Sequence, residues 1–203
     1  MGLFTKIFTN CAHPKGRMGR IILQLMNFSH APLTNWGLDL ADIQDGWTML
    51  DIGCGGGATL QRLLKRSKDS KVYGLDISEE SVAKAKKVNA DVLDKQAFIC
   101  QGSAESLPYE NEHFDLVTAV ETVYFWQNMP QCIQEVKRVL KHGGKFVIMV
   151  EAVDADSVWT NVVDGMTVYS SEQLETFLKD AGFINTETHN KKPCYTTIIG
   201  VNP

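Results

Sequence analysis

The chain has 203 residues, 44% of them apolar, with 20 Lys and Arg set against 24 Asp and Glu for a formal charge of −4. That is enough material for one domain with a sizeable core that needs no disulfides, and it excludes global disorder. It also supplies no basic field for a phosphate backbone, so no nucleic-acid partner is expected.

In chain order, Lys15 to Gln44 reads as an N-terminal helical cap within residues 1–46. Met18, Ile21, Ile22, Leu25 and Met26 make one helical stripe, His30-Ala31-Pro32 breaks it, and Thr34 is placed to cap a second short helix. From Trp47 onward, short apolar runs alternate with segments of helical period, which predicts an α/β core over residues 47–203: a doubly wound, mostly parallel sheet covered by helices on both faces. Trp47 to Ile52 is the first strand, Ala58 to Lys65 a helix on Leu60, Leu63 and Leu64, and Val72 to Leu75 a strand ending at Asp76. Ser78 is a suitable N-cap for a helix whose inner face is Val82, Ala85, Val88 and Val92. Ala97 to Cys100 and Asp115 to Val120 follow as strands. A helix on Ile133, Val136 and Leu140 is expected to stop at Gly143, before a strand from Lys145 to Val150. Ser170 and Gln173 form a capping-box pattern ahead of Leu174, Phe177, Leu178 and Ala181. The closing runs, Ile184 to His189 and Tyr195 to Val201, are joined around Asn190 to Pro193 by too few residues for a parallel crossover, so they are predicted to pair as an antiparallel hairpin. Seven strands and no internal repeat or linker give a single domain over 1–203.

Cys11, Cys54, Cys100, Cys132 and Cys194 are odd in number and contain no CxxC pair, so neither a disulfide framework nor a zinc site is indicated. His13, His113, His142 and His189 show no ligand spacing, and no metal is assigned. No apolar run approaches the ~20 residues of a membrane span, and the N terminus has no stretch of signal-peptide length. No membrane association is expected, and cytoplasmic residence is.

Chemistry concentrates in Met49-Leu50-Asp51-Ile52-Gly53-Cys54-Gly55-Gly56-Gly57, a buried strand running into glycines where a helix begins. Gly53, Gly55 and Ala58 also satisfy a dinucleotide fingerprint, so a nicotinamide-dependent oxidoreductase is an alternative on this motif alone. Asp51 argues otherwise, because a carboxylate just ahead of the glycines repels a pyrophosphate and suits a ligand carrying ammonium and sulfonium charge. Asp76 stands where a doubly wound fold places an acid on ribose hydroxyls, and Ile77 beside it suits one face of an adenine ring.

LDIGCGGG, YGLDIS, GSAESLPYENEHFDLVTAVETVYFW and EVKRVLKHGGKFVIM, in that order, resemble the successive motifs of class I S-adenosylmethionine-dependent methyltransferases. The resemblance covers about Trp47 to Val201 and implies a Rossmann-like seven-stranded sheet whose last strand is reversed. It implies that Gly53, Cys54, Gly55 and Gly57 pass beside the methionyl part and ribose of the cofactor, with Asp51 near the amino group and Asp76 on the ribose. Ser103, Ala104 and Glu105 would meet the adenine edge, with Ser103 where the family commonly has Asp. Val120 and Glu121 would line the methionyl side.

The activity so implied is methyl transfer to a small-molecule acceptor by in-line displacement, carried out by a monomer or homodimer. A non-catalytic adenosylmethionine-binding module is the further alternative. Glu121, Tyr124, His30 and Glu151 are the candidates for handling the acceptor, with Tyr169 also worth inspection, and no motif secures any of them as a base. Tyr124, Phe125 and Trp126 divide between holding an acceptor and ordinary packing, and Asp154 to Val168, with Trp159 and Met166, is expected to help cover the site.

Overall fold

The computed structural model describes residues 30–151, 166–191 and 194–203. The predicted stripe from Met18 to Met26, Trp159 and the turn residues Lys192 and Pro193 lie outside them. Among the described residues the elements are α1 (Ala31–Leu40), β1 (Thr48–Ile52), α2 (Ala58–Arg66), β2 (Lys71–Asp76), α3 (Glu79–Val88), β3 (Ala97–Gln101), β4 (Phe114–Val120), α4 (Met129–Val139), β5 (Leu140–Val150), α5 (Ser171–Asp180), β6 (Ile184–Lys191) and β7 (Tyr195–Val201). No described helix is long and apolar enough to cross a membrane.

The seven strands form one sheet in the order β3-β2-β1-β4-β5-β7-β6. The pairs among β3, β2, β1, β4 and β5 are parallel, while β7 runs antiparallel to both β5 and β6. Successive strand residues face opposite sides, so each strand feeds two cores. Phe146, Ile148 and Val150 of β5 join Leu50 and Ile52 of β1 beneath α4 and α5. Val147 and Met149 join Met49 beneath α1, α2 and α3. Burial on both faces explains why these strands read as unbroken apolar runs.

Local signals set several boundaries as expected. The Ser78 hydroxyl accepts the Ser81 N–H and starts α3, and Ser170 and Gln173 form a reciprocal capping box at α5. The closing strands pair as the antiparallel hairpin, although β6 runs two residues past the predicted end, to Lys191.

Three expectations are corrected. Thr34 does not cap the N-terminal described helix: His30 precedes α1, Pro32 sits in its first turn where a missing N–H costs nothing, and the Thr34 hydroxyl donates to the His30 carbonyl at 2.7 Å. Val88 is 39% exposed, because α3 ends there and Val92 reaches the core from a separate short turn. Gly143 does not terminate α4: Leu140 is already extended and pairs with Phe114, and Gly143, at φ +75°, lies within the irregular start of β5 and gives its N–H to the Asn202 carbonyl.

Winding proceeds from β1 outward through β2 to β3, and from β4 outward through β5. The strand order therefore reverses between β1 and β4, and the crevice at the carboxyl ends of these two strands is where open α/β sheets take ligands.

Candidate functional site

Two groups of residues meet at that crevice. The first is the turn from β1 into α2. Gly53, Gly55 and Gly57 all have positive φ, at +72°, +51° and +80°, a region that favours glycine. A Cβ on Gly53 would collide with the Thr122 side chain, and one on Gly57 would stand 2.9 Å from Ala85, so the turn is pressed tightly between β4 and α3. The N–H groups of Gly53 and Cys54 both donate to the Leu75 carbonyl, at 2.7 and 3.0 Å. The Gly55 N–H donates to Asp76 Oδ2 at 2.8 Å, and Asp76 Oδ1 accepts the Ser78 N–H at 2.9 Å. Asp76 thus ties the glycine turn to the start of α3.

Asp51 is 1% exposed, on the face of β1 turned toward α2, where it accepts a hydrogen bond from the Thr118 hydroxyl at 2.7 Å. Burial pushes its carboxyl up to about 7, against the pull of the Thr118 and Thr59 hydroxyls. Thr59 and Thr118 went unnoticed in the sequence, where nothing marks two threonines as partners of an aspartate until β1 and β4 are known to be neighbours. Cys54 is buried, and its thiol is raised well above the usual range by burial and then by Asp76 and Asp51. It fills space beneath Gly74 and has none of the character of a reactive thiol.

Ile77 stands 57% exposed just beyond Asp76. The Gly102 N–H donates to the Asp76 carbonyl, which brings Ser103, Ala104 and Glu105 alongside. The Ser103 hydroxyl accepts the Glu105 N–H, Ala104 is buried, and the Glu105 carbonyl accepts from Gln131 Nε2. The Ser103 side chain is therefore engaged in its own turn.

The second group follows β4 and β5. Glu121 has a left-handed backbone, at φ +53°, and its N–H donates to the Met149 carbonyl. Its Oε1 accepts the Glu151 N–H at 2.5 Å and the Tyr124 hydroxyl at 3.2 Å. Its Oε2 lies 3.9 Å from His30 Nδ1, and Glu151 Oε1 lies 3.6 Å from the same nitrogen. The four candidates His30, Glu121, Tyr124 and Glu151, from three separate stretches of the chain, are thus brought together, with Val120 just ahead of Glu121 at the end of β4. Burial, with the Glu151 charge adding to it, raises Glu121 to about 8. Burial lowers His30, opposed by Glu151.

Tyr169 packs edge-on against Phe177 in the core beneath α5. Trp126 stacks on Phe146 and Phe125 packs against the same core, so of the aromatic triplet Tyr124 alone turns its polar end to the cluster. Sequence reasoning missed Cys194, which the hairpin places within electrostatic reach of Glu151 and Glu121; its thiol is raised by burial first and then by their charges. A separate cleft of about 310 Å³ beside Arg138, Leu140 and Asn202 lies at the opposite end of the sheet.

Comparison with known proteins places residues 50–148 in a family described as a methyltransferase domain. The uncharacterized methyltransferase YdaC of Bacillus subtilis (strain 168) is 30% identical over 171 residues, covering 83% of this chain and 90% of that protein. Among solved structures, an S-adenosylmethionine-dependent methyltransferase from Aquifex aeolicus superposes with a TM-score of 0.73 at 22% identity, with full coverage of both chains. Phosphoethanolamine N-methyltransferase 2 of Haemonchus contortus, in complex with S-adenosyl-L-methionine, gives a TM-score of 0.75 at 18% identity, over 85% of this chain and 53% of that one.

Proposed function

The chain belongs to the class I S-adenosylmethionine-dependent methyltransferases, and from that premise we propose that it methylates a small-molecule acceptor bound against His30, Glu121, Tyr124 and Glu151. Residues 1–203 act as one methyltransferase domain, and its described N-terminal helix α1 brings His30 to the acceptor end. S-adenosylmethionine is the methyl donor. Its amino group lies near Asp51, its methionyl part and ribose along Gly53, Cys54, Gly55 and Gly57 and beside Val120 and Glu121, and its ribose hydroxyls on Asp76. Ile77 supplies an apolar face for the adenine, whose edge meets Ser103, Ala104 and Glu105. The Ser103 hydroxyl accepts the Glu105 N–H and offers no carboxylate to the adenine amino group, so recognition there rests chiefly on the Ala104 backbone.

The observation that carries this reading is the glycine turn tied to Asp76 through the Gly55 N–H, with buried Asp51 on the strand that leads into it. A dinucleotide pyrophosphate rests on free N–H groups of the glycine turn and the helix start, and one of these, the Gly55 N–H of the turn, is already given to Asp76. Buried Asp51, with its carboxyl raised to about 7, ionises in favour of a cationic donor, whereas its ionised form repels the pyrophosphate of the oxidoreductase alternative. Displacement at a sulfonium methyl requires chiefly that donor and acceptor be aligned and water excluded, and positioning of this kind supplies ~7–11 kcal/mol. A small acceptor is supported by the net charge of −4, by the acidic lining of the cleft, and by the phosphoethanolamine acceptor named for the Haemonchus protein.

Calorimetry with S-adenosylmethionine and S-adenosylhomocysteine tests the assignment, with NADH as competitor. Saturable binding of both, undisturbed by NADH, is the expected result. Failure of either to bind, or displacement by NADH, rejects it.

A further inference from the structure

Glu121 Oε2, Glu151 Oε1 and His30 Nδ1 lie within 4.8 Å of one another, and Glu121 Oε2 is the oxygen that carboxylate has left over. Glu121 commits Oε1 to the Tyr124 hydroxyl and the Glu151 N–H, which fixes the carboxylate and aims Oε2 at His30. His30 Nδ1 is inaccessible to solvent and has no hydrogen-bond partner among the described residues, an arrangement that is costly unless something occupies it. With the proton on Nε2, that nitrogen presents a lone pair to the two carboxylate oxygens.

We propose that His30 Nδ1, Glu121 Oε2 and Glu151 Oε1 form a binding site for one divalent transition-metal ion, of the class of Zn²⁺ or Mn²⁺. Ligands about 2.0–2.2 Å from a common ion stand roughly 3–3.5 Å apart at tetrahedral to octahedral angles. The observed separations from Nδ1 are 3.6 and 3.9 Å, so modest rotation of the partly exposed Glu151 and His30 side chains closes the set. One imidazole and two carboxylates select a transition ion over Ca²⁺ or Mg²⁺, which prefer oxygen alone. The hydrogen bonds from Tyr124 and the Glu151 N–H do for Glu121 what outer-shell partners do at metal centres, holding the ligand in one orientation.

Three protein ligands leave coordination positions open, and the side chains of His30 and Glu151 remain 22% and 29% exposed. Thr122, the residue after Glu121, abuts Gly53, so the ion would stand next to the glycine turn. An acceptor hydroxyl or thiol reaching it would ionise more readily. That consequence rests on the methyltransferase reading, whereas ion binding does not.

The test uses the full chain, stripped with chelator, dialysed, and titrated with Zn²⁺ and Mn²⁺ by calorimetry and with Co²⁺ by visible absorption. One ion per chain is expected. His30→Ala and Glu151→Gln should each weaken it by about tenfold or more, and Cys194→Ser should leave it unchanged. Metal-free melting curves report whether the variants fold. If His30→Ala does not, Glu151→Gln and the Co²⁺ spectrum decide. Absence of saturable binding, wild-type affinity in Glu151→Gln, or loss of binding in Cys194→Ser overturns the site. S-adenosylhomocysteine binding by the metal-free chain is measured in parallel, so failure of the metal site and failure of the cofactor assignment are told apart.

Discussion

With the cofactor's amino group at Asp51, as proposed, binding becomes a proton-linked event. The Asp51 carboxyl is raised to about 7 by burial, so near pH 6 about nine-tenths of the cofactor-free protein carries a proton there. In the proposed placement, the ammonium of an adenosyl-amino-acid ligand would stabilise the ionised form and expel that proton. Calorimetry of S-adenosylhomocysteine in buffers of different ionisation enthalpy should therefore show close to one proton released at about pH 6 and almost none at about pH 8.5. Over roughly pH 5 to 8 the affinity should climb about 90-fold, or about 2.7 kcal/mol. The same shift acts on stability. A native carboxyl with a raised pKa binds its proton more tightly than the unfolded chain does, so the stabilisation is present at low pH and is lost as pH rises from about 4 to 7, by up to about 4 kcal/mol. Asp51→Asn, whose amide oxygen still accepts from Thr118, should flatten both profiles and raise the melting temperature of the cofactor-free protein near pH 8. Proton release that persists in this variant, or a pH-independent affinity in the wild type, would refute the placement of the amino group at Asp51.

Asp76→Ala should weaken S-adenosylhomocysteine binding by more than about tenfold, at least ~1.4 kcal/mol, because the proposed ribose contact and the Gly55 anchor go together; unchanged affinity in calorimetry would mean that the ribose is held elsewhere. Gly53→Ala combines a left-handed backbone worth ~1–2 kcal/mol with a collision worth ~1–3 kcal/mol, and urea unfolding should show the sum. Adding Thr122→Gly should recover the collision and leave the backbone strain; full recovery would show that the φ of +72° costs nothing.

What could be foreseen in the chain was whatever is written locally. The Ser170 and Gln173 box, the Ser78 cap and the short connection between the last two strands each depend on residues a few positions apart. The glycine turn and Asp76 were likewise visible, because strand, turn and helix follow one another directly. Boundaries failed where tertiary pairing outbid local preference. Leu140 continues the apolar period of α4, yet pairing with Phe114 draws it into β5 and strands Gly143 inside a β segment. Pro32 looks like a breaker until its position in the first turn of α1 makes it harmless. His30, Glu121 and Glu151 could each be suspected, but their meeting depends on α1 reaching the ends of β4 and β5, and no spacing along the chain encodes that.

The slot that β7 occupies has a bearing on biosynthesis. Residues 195–201 are threaded between β5 and β6, while β5 itself is almost wholly apolar from Phe146 to Val150. On the ribosome, β5 emerges some fifty residues before the segment that shields its outer flank. During that interval the nascent protein presents a bare, greasy ladder of N–H and C=O groups, the kind of surface that recruits chaperones or another copy of itself. Overexpression at high translation rates should therefore lose material to inclusion bodies at this step, and slower elongation or more trigger-factor-like holdase should return it to the soluble fraction.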